Sequence, residues 1–379
     1  MMTITYRDDY LVGGRPQDAI TPNFKVREFM TPAGLHVHRE LVGALQELRE
    51  AHGAPITIRG LAPRARRAGR PGCCAFVAAA DPAALEAAAL PLVKQGFLAS
   101  AARAGADLHV EIPDPAHPLP LPAANALERA VRVTAAYETS GDPYQAVTGN
   151  FDGAGLSFGP LQVNFGTGTL PELFRRFQQE NARLLATCFG SDVRWQEWQQ
   201  LLRRPRAQQV AWADGLSTGA RKTQVAEPWR SALQAVGRQE AFRRVMLRYA
   251  YDVYGRKLIV ALSWLKGLWP GKIDNFACLA ALYDLCVQQG SLDKAHAAIR
   301  ARVAREQPDT QQQLVHIAVE ERGRMAAPAW RADCISRRLG ILYREPVKIA
   351  EGGVTARREN LRSYLVRNAP VKGAEQYLT

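Results

Sequence analysis

The stretch that decides the fold runs from Tyr137 to Asn164 and reads YETSGDPYQAVTGNFDGAGLSFGPLQVN. Before it, the spacing of apolar residues predicts a helix over residues 123–139, and this helix closes on the carboxylate Glu138. The second half holds a glycine-rich turn with another carboxylate, Asp152, and then a short apolar segment that ends on an amide. The stretch therefore predicts a helix followed by a tight turn, with one carboxylate on each.

The two carboxylates have different surroundings. Val133, Ala135, Ala136 and Tyr137 precede Glu138, so its charged form is disfavoured and it can stay protonated as an acid. Asp152 is followed by Gly153 and Gly155, which allow positive φ and a close approach of the backbone to a ligand. A buried acid beside a solvated carboxylate is the pair that glycoside hydrolysis needs. The Asp-Gly pair is equally typical of a plain hairpin turn.

The motif formed by Glu138, DGxG at residues 152–155 and FGxLQVN at residues 158–164 resembles the goose-type lysozymes and related muramidases. Further along, ALYDLxVQxG at residues 281–290 is similar to a helix of chitosanases and other members of the lysozyme superfamily. The resemblance covers residues 123–350. It implies a mainly α lysozyme-like domain with a small β-hairpin at the cleft.

The same resemblance implies roles for individual residues. Glu138 takes the place of the general acid. Where these lysozymes often carry a second aspartate after the Gln-Val pair, this chain has Asn164, so the water-activating role falls to Asp152 or to no residue. The expected substrate-binding residues are Tyr137, Gly155, Gln162 and Asn164. The two amides could equally satisfy backbone groups of the hairpin, and Tyr137 could be a core aromatic.

The N-terminal part carries a second resemblance. It combines FKVREF at residues 24–29, a predicted helix over residues 39–52 that ends at Gly53, and a predicted strand, PITIRG, at residues 55–60. This order resembles the M15 peptidases, zinc enzymes that cleave peptidoglycan stems. It implies a small α+β domain ahead of the lysozyme-like one.

The zinc ligands that the M15 resemblance implies are Cys74, Asp81 and His109. The family carries a histidine seven residues before the aspartate, and this chain has Cys74 at that position. Cysteine is a competent zinc ligand, but Asp81 precedes Pro82 and could simply cap the next helix. We therefore expect a degenerate domain that holds no zinc and binds the cell wall or a partner, with a zinc site as the alternative.

Five prolines in residues 113–122 predict an extended linker. The expected domains are residues 1–112 (M15-like), residues 123–350 (lysozyme-like) and a loosely packed basic tail at residues 351–379. After the first hairpin the sequence predicts almost no strand, and residues 258–268 are predicted to form the central buried helix. Further helices are predicted at 170–188, 195–202, 207–216, 228–236, 239–253, 273–289, 292–306, 310–325 and 329–339.

The composition bounds the partners. The chain has 379 residues, a formal net charge of +13 and a sequence pI of about 9.7, which favours anionic partners, although an arginine-rich composition without a partner gives the same charge. It contains no run of 18 apolar residues, and residues 1–20 contain no apolar core of a signal peptide. Six scattered cysteines predict reduced, mostly buried thiols.

The predicted function is a muramidase that cleaves the β-1,4 bond of peptidoglycan, with no cofactor for glycan cleavage. The alternatives are a lytic transglycosylase in which Glu138 alone moves protons, a chitosanase, which the positive charge disfavours, and a non-catalytic cell-wall-binding component. We expect synthesis in the cytoplasm and action in the periplasm or cell wall after delivery by a phage or a secretion system. An immunity protein is an expected partner in the second case; nucleic acid is not expected.

Overall fold

The computed structural model describes residues 4–61, 71–137 and 141–372. Glu138, the predicted general acid, lies outside the described residues. The helices are α1 (Arg39–His52), α2 (Pro82–Lys94), α3 (Ala123–Ala135), α4 (Thr169–Phe189), α5 (Asp192–Leu201), α6 (Arg206–Leu216), α7 (Trp229–Arg238), α8 (Glu240–Ala250), α9 (Arg256–Lys266), α10 (Phe276–Gln289), α11 (His296–Glu306), α12 (Gln311–Arg324) and α13 (Pro328–Tyr343).

The described strands are short, and each contains two to six residues. They are β1 (Thr5–Arg7), β2 (Tyr10–Gly13), β3 (Met30–Thr31), β4 (Gly34–Leu35), β5 (Val37–His38), β6 (Ile56–Leu61), β7 (Cys74–Ala79), β8 (Ser100–Ala104), β9 (Asp107–Glu111), β10 (Leu121–Pro122), β11 (Val147–Thr148), β12 (Ser157–Phe158), β13 (Val163–Asn164), β14 (Ser217–Thr218), β15 (Gln224–Val225), β16 (Lys348–Glu351), β17 (Val354–Arg357) and β18 (Val371–Lys372). The prediction of a helix-rich chain with small β elements is confirmed at this level.

The described chain divides into two compact units. The first takes the chain up to Arg129, then Leu265–Leu282 and the chain from Lys294 onward; the second takes Ala130–Trp264 and Tyr283–Asp293. The predicted organisation divides the chain at the proline-rich residues 113–122 instead. The two divisions differ because late segments of the chain pack with early ones in the first unit, a long-range pairing that local composition does not encode.

The first unit contains an antiparallel sheet in the order β6-β7-β9-β8, packed with α1 and α2. The helix predicted at residues 39–52 is confirmed, and Gly53 ends it in the left-handed conformation at φ 72°. Ala75 and Val77 of β7 and Val110 of β9 are buried in the core of this unit. The sequence pattern predicted the helix before Gly53 and the strand after it, whereas the α+β class of this part of the chain was implied by the M15 resemblance.

The C-terminal segment of the first unit is packed, which contradicts the predicted loose tail. The strands β16 and β17 form a hairpin, and β18 pairs in parallel with β10, so that Leu121 faces Val371. Between them Leu365 and Val366 are fully buried. The prediction failed because it weighed the basic residues of this segment and gave no weight to its apolar anchors.

The second unit is mainly helical and is centred on an aromatic cluster. Trp198 on α5 is completely buried and contacts five other rings, those of Phe165, Phe174, Phe189, Trp212 and Trp229, at centroid distances of 4.8–6.1 Å. The predicted helices correspond to α4 through α8 with small shifts of their ends. Two small sheets belong to this unit, β11-β12-β13 and the hairpin β14-β15.

The most buried helix is α10, and not α9 as predicted. Residues 276–286 of α10 are all buried, whereas α9 leaves Val260 63% exposed. The segment around α9 is apolar nearly all round, but only Ala261, Leu262 and Leu265 of this helix are classed as buried. An apolar run predicts burial in general, but the neighbouring elements decide which of its faces are covered.

Candidate active site

The helix that leads to the predicted acid is shorter than expected. It ends at Ala135, although the backbone N–H groups of Ala136 and Tyr137 still donate to Arg132 and Thr134 in a last turn. Tyr137 is half-buried, and Glu138 follows it directly in the chain. Gly141, the next described residue, has a φ of 79° that glycine adopts at low cost. The predicted acid thus follows the end of α3 in the sequence, outside the described residues.

Asp152 lies at the exposed end of the predicted glycine-rich turn. Its Oδ1 accepts a hydrogen bond from the backbone N–H of Ala154 at 3.0 Å, which fixes the orientation of the carboxylate. Gly153 and Gly155 have φ angles of 82° and 81°, so the turn uses the left-handed conformations expected from its glycines. Phe151, beside Asp152, leaves 55% of its surface exposed. The turn therefore presents a carboxylate and an aromatic ring to solvent.

The ends of this turn are held by Asn150. Its Oδ1 accepts from the N–H of Gly155 at 2.7 Å, and its Nδ2 donates to Oδ1 of Asp214 at 2.8 Å. Its own backbone N–H donates to Oγ of Ser217 at 2.8 Å. Asp214 also accepts two bonds from Nζ of Lys222, at 2.6 and 2.7 Å. The sequence prediction passed over these four residues, because Asp214, Ser217 and Lys222 are more than 60 positions away from Asn150.

The side-chain amides of Gln162 and Asn164 form hydrogen bonds to backbone groups next to the strands β12 and β13. Gln162 has a φ of 48°, and its Nε2 donates to the carbonyl of Gly159 at 2.8 Å. Oδ1 of Asn164 accepts from the N–H and the hydroxyl of Thr167 at 2.8 and 2.9 Å. Both residues are half-buried, and these bonds match the backbone-satisfying alternative. A Cβ atom added to Gly155 would lie 3.3 Å from Phe165 and 3.5 Å from Val210.

Other carboxylates of the second unit are held by cations. Asp142 accepts from the guanidinium of Arg243 at 2.6 Å and from the backbone N–H of Tyr144 at 3.0 Å. Lys222 and Asn150 lower the pKa of Asp214 by their hydrogen bonds. A lowered pKa makes Asp214 a poorer proton acceptor. Asp142 and Asp214 each face a cation, whereas the described hydrogen bond of Asp152 comes from a neutral backbone donor.

The three residues implied as zinc ligands are not brought together. Cys74 begins β7, whereas Asp81 follows its other end and caps α2 by accepting from the N–H groups of Ala83 and Ala84. The strand between them spans on the order of 16 Å. Burial raises the pKa of the Cys74 thiol to about 11, with Glu111 and Cys73 adding to the effect, so the thiolate is disfavoured. Among the described residues no group of three histidines, cysteines or carboxylates is placed to hold a metal ion.

His109 lies on β9 opposite Phe76 of β7, and their ring centroids are 5.0 Å apart. The alternation of strand side chains puts His109 on the same face of the sheet as Cys74 and Glu111.

None of the described helices is long and apolar enough to cross a membrane.

No protein-family model and no curated protein matches the chain. Among solved structures, the native chitosanase of Bacillus subtilis MY002 and a mutant of it complexed with 6 GlcN are each 14% identical, with a TM-score of 0.42 over 63% of this chain and 100% of theirs. A GH46 chitosanase of Gynuella sunshinyii in complex with chitotetraose is 17% identical, with a TM-score of 0.40 over 63% of this chain and 99% of its own. TM-scores of this size do not establish a shared fold.

Proposed function

We propose that the second unit is a glycan hydrolase, a muramidase that cleaves the β-1,4 bond of peptidoglycan. Glu138 is the general acid and Asp152 the base that activates water. The observation that carries the proposal is the state of Asp152: an exposed carboxylate, oriented by a backbone N–H, on a glycine turn. The ion-paired neighbours Asp142 and Asp214 are poorer candidates for the same role.

The chemistry assigns one proton transfer to each carboxyl group. Glu138 protonates the glycosidic oxygen as the bond to the anomeric carbon breaks. Asp152 accepts a proton from the water that attacks the opposite face of the sugar, which inverts the anomeric configuration. The net charge of +13 favours an anionic wall polymer over polycationic chitosan.

The test is digestion of purified peptidoglycan and, in parallel, of chitosan, with the products read by mass spectrometry. We expect muropeptides with new reducing ends and no cleavage of chitosan. Reducing ends from chitosan alone would replace the muramidase proposal with a chitosanase. Anhydro ends would replace it with a transglycosylase, in which the substrate's own hydroxyl attacks.

The substitutions Glu138→Gln and Asp152→Asn test the two roles. Each keeps the size of the side chain but prevents the proton transfer, so we expect kcat to fall by about 10²–10⁴-fold in each. The matched control is Asp114→Asn, because Asp114 accepts from the N–H of Ala116 at 3.0 Å, in the same turn geometry as Asp152. Full activity of Asp152→Asn would remove the base from the mechanism, and full activity of Glu138→Gln would remove the acid.

A further inference from the structure

The turn that carries Asp152 has an intrinsic weakness. It contains two glycines, which have the largest conformational freedom of all residues. Its tip, Phe151 to Gly153, is exposed, and a Cβ atom on Gly153 would meet no atom within 4 Å. A base that must hold water against a sugar needs its position fixed to a fraction of an ångström. Some other contact must therefore supply the rigidity.

Both ends of the turn are anchored. At the C-terminal end, the N–H of Gly166 donates to the carbonyl of Ala154 at 2.7 Å. At the N-terminal end, the N–H of Gly149 donates to the carbonyl of Thr223 at 3.2 Å. The side chain of Asn150 joins the two ends, because its Oδ1 accepts from Gly155 across five residues.

The partners of Asn150 also define how its amide is oriented. The N–H of Gly155 can only donate, so it must face Oδ1. Asp214 is held in the charged form by Lys222 and can only accept, so it must face Nδ2. Each amide atom thus meets the one type of partner it can bond. The amide thus ties the turn to Asp214 at the end of α6, which also binds Lys222, and the backbone N–H of Asn150 ties it to Ser217 of β14.

From this geometry we propose that Asn150 is a positioning residue for the water-activating base. It clamps the turn so that the Asp152 carboxylate keeps one orientation, and Asp214 with Lys222 anchors the clamp. The inference rests on the proposed hydrolase function. It adds that residues outside the carboxylate pair hold the base in position, and it assigns a role to the β14-β15 hairpin.

The test uses an exchange of donor and acceptor. Asn150→Asp keeps the shape and the bond from Gly155, but places a carboxylate against Asp214 in place of the Nδ2 donor. We expect kcat on peptidoglycan to fall by about 10–100-fold with KM within about twofold, because misplacement of a catalytic group by about an ångström costs on that order. In the double variant N150D/D214N the amide nitrogen at position 214 can donate to the carboxylate at position 150, while the amide oxygen keeps one bond from Lys222. We expect this variant to recover kcat to within about threefold of wild type.

The matched control is Asn275→Asp in the first unit. Asn275 also uses both amide atoms, since its Oδ1 accepts from the N–H of Ala277 at 2.9 Å and its Nδ2 donates to the amide oxygen of Asn368 at 2.6 Å. We expect its kcat and KM to equal those of wild type. Unchanged kcat in Asn150→Asp, or no recovery in the double variant, would overturn the positioning role while leaving the hydrolase intact.

A second measurement does not depend on activity. Hydrogen–deuterium exchange of the Gly155 amide should be faster in Asn150→Ala, which removes the acceptor, and should be unchanged in Asn275→Asp. Equal exchange in wild type and Asn150→Ala would overturn the clamp itself. If the wild-type protein cleaves no glycan, the proposed function fails and the catalytic part of the inference fails with it, whatever the exchange result.

Discussion

The predicted site contains two kinds of residue: Gln162 and Asn164 bond the backbone of the hairpin, and Asp152 is exposed. The two amides bond the carbonyl of Gly159 and the N–H of Thr167, so the turn needs them whether or not a sugar binds. Asp152 meets a single described backbone donor and is exposed. A sequence identifies the residue types of such a motif, but it does not distinguish a structural amide from a binding one, because both favour the same glycine-rich turns.

Trp198 gives a prediction at the residue scale. Its ring is completely buried among five others, yet its Nε1 has no hydrogen-bond partner among the described residues. Trp198→Ala should lower the free energy of unfolding by about 3–5 kcal/mol through the cavity it leaves. Trp198→Phe keeps most ring contacts and removes the unsatisfied N–H, so its loss should be below about 2 kcal/mol. Urea unfolding followed by circular dichroism measures both, and equal losses would contradict this account.

At the scale of elements, the predicted helices were accurate where a stop signal exists. Helix α1 ends at Gly53 and α4 ends at Gly190, both in the left-handed conformation. The strands β14 to β18 were missed, because segments of two to four residues carry too little periodicity to be recognised. The sequence predicted that a helix is followed by a β-hairpin whose turn carries Asp152. It could not predict that this turn is anchored on β14, because the contact between Asn150 and Ser217 joins residues far apart in the chain.

Helix α12 gives a prediction on pH. Glu320 on this helix is partly buried, which alone would raise its pKa, but His316 and Arg302 lower it to about 2. Oε2 of Glu320 lies 2.5 Å from Nη1 of Arg302 and 3.2 Å from Nε2 of His316. The folded-state pKa lies below the unfolded value of 4.5, so the stabilisation is complete above pH 4.5 and is lost as the pH falls towards 2.

We therefore expect the difference in urea midpoint between wild type and Glu320→Gln to be largest near pH 6 and to shrink between pH 4.5 and 2.5. The control is Glu240→Gln on α8, where the carboxylate forms an exposed pair with Arg244 at 3.4 Å. Such pairs contribute about 0–1 kcal/mol, so the control should differ little from wild type at any pH. A difference for Glu320→Gln that stays constant with pH would contradict the assigned pairing.

At the scale of the whole molecule, the order of the chain does not match the order of the units. The first unit combines segments from both ends of the sequence, and the second interrupts it. Composition predicted an extended linker at residues 113–122, and Leu121 at its end pairs with Val371 in a sheet. Pairing across 250 residues depends on tertiary contacts that neither composition nor local spacing records.

The C-terminal segment should accordingly be required for the stability of the first unit. Arg367 bonds Glu40 of α1 at 2.9 Å, and Leu365 and Val366 are buried. Burial of each such apolar side chain contributes about 1.5–3 kcal/mol, against a total stability of about 5–15 kcal/mol. Removal of residues 361–379 should therefore lower the unfolding temperature of the first unit by many degrees, or abolish its transition, in differential scanning calorimetry. Removal of residues 373–379 alone keeps all of the contacts named here and should leave the transition within about two degrees of wild type. If both truncated proteins unfold at the wild-type temperature, the packed C-terminal segment contributes nothing to folding, and the predicted loose tail would be the better description.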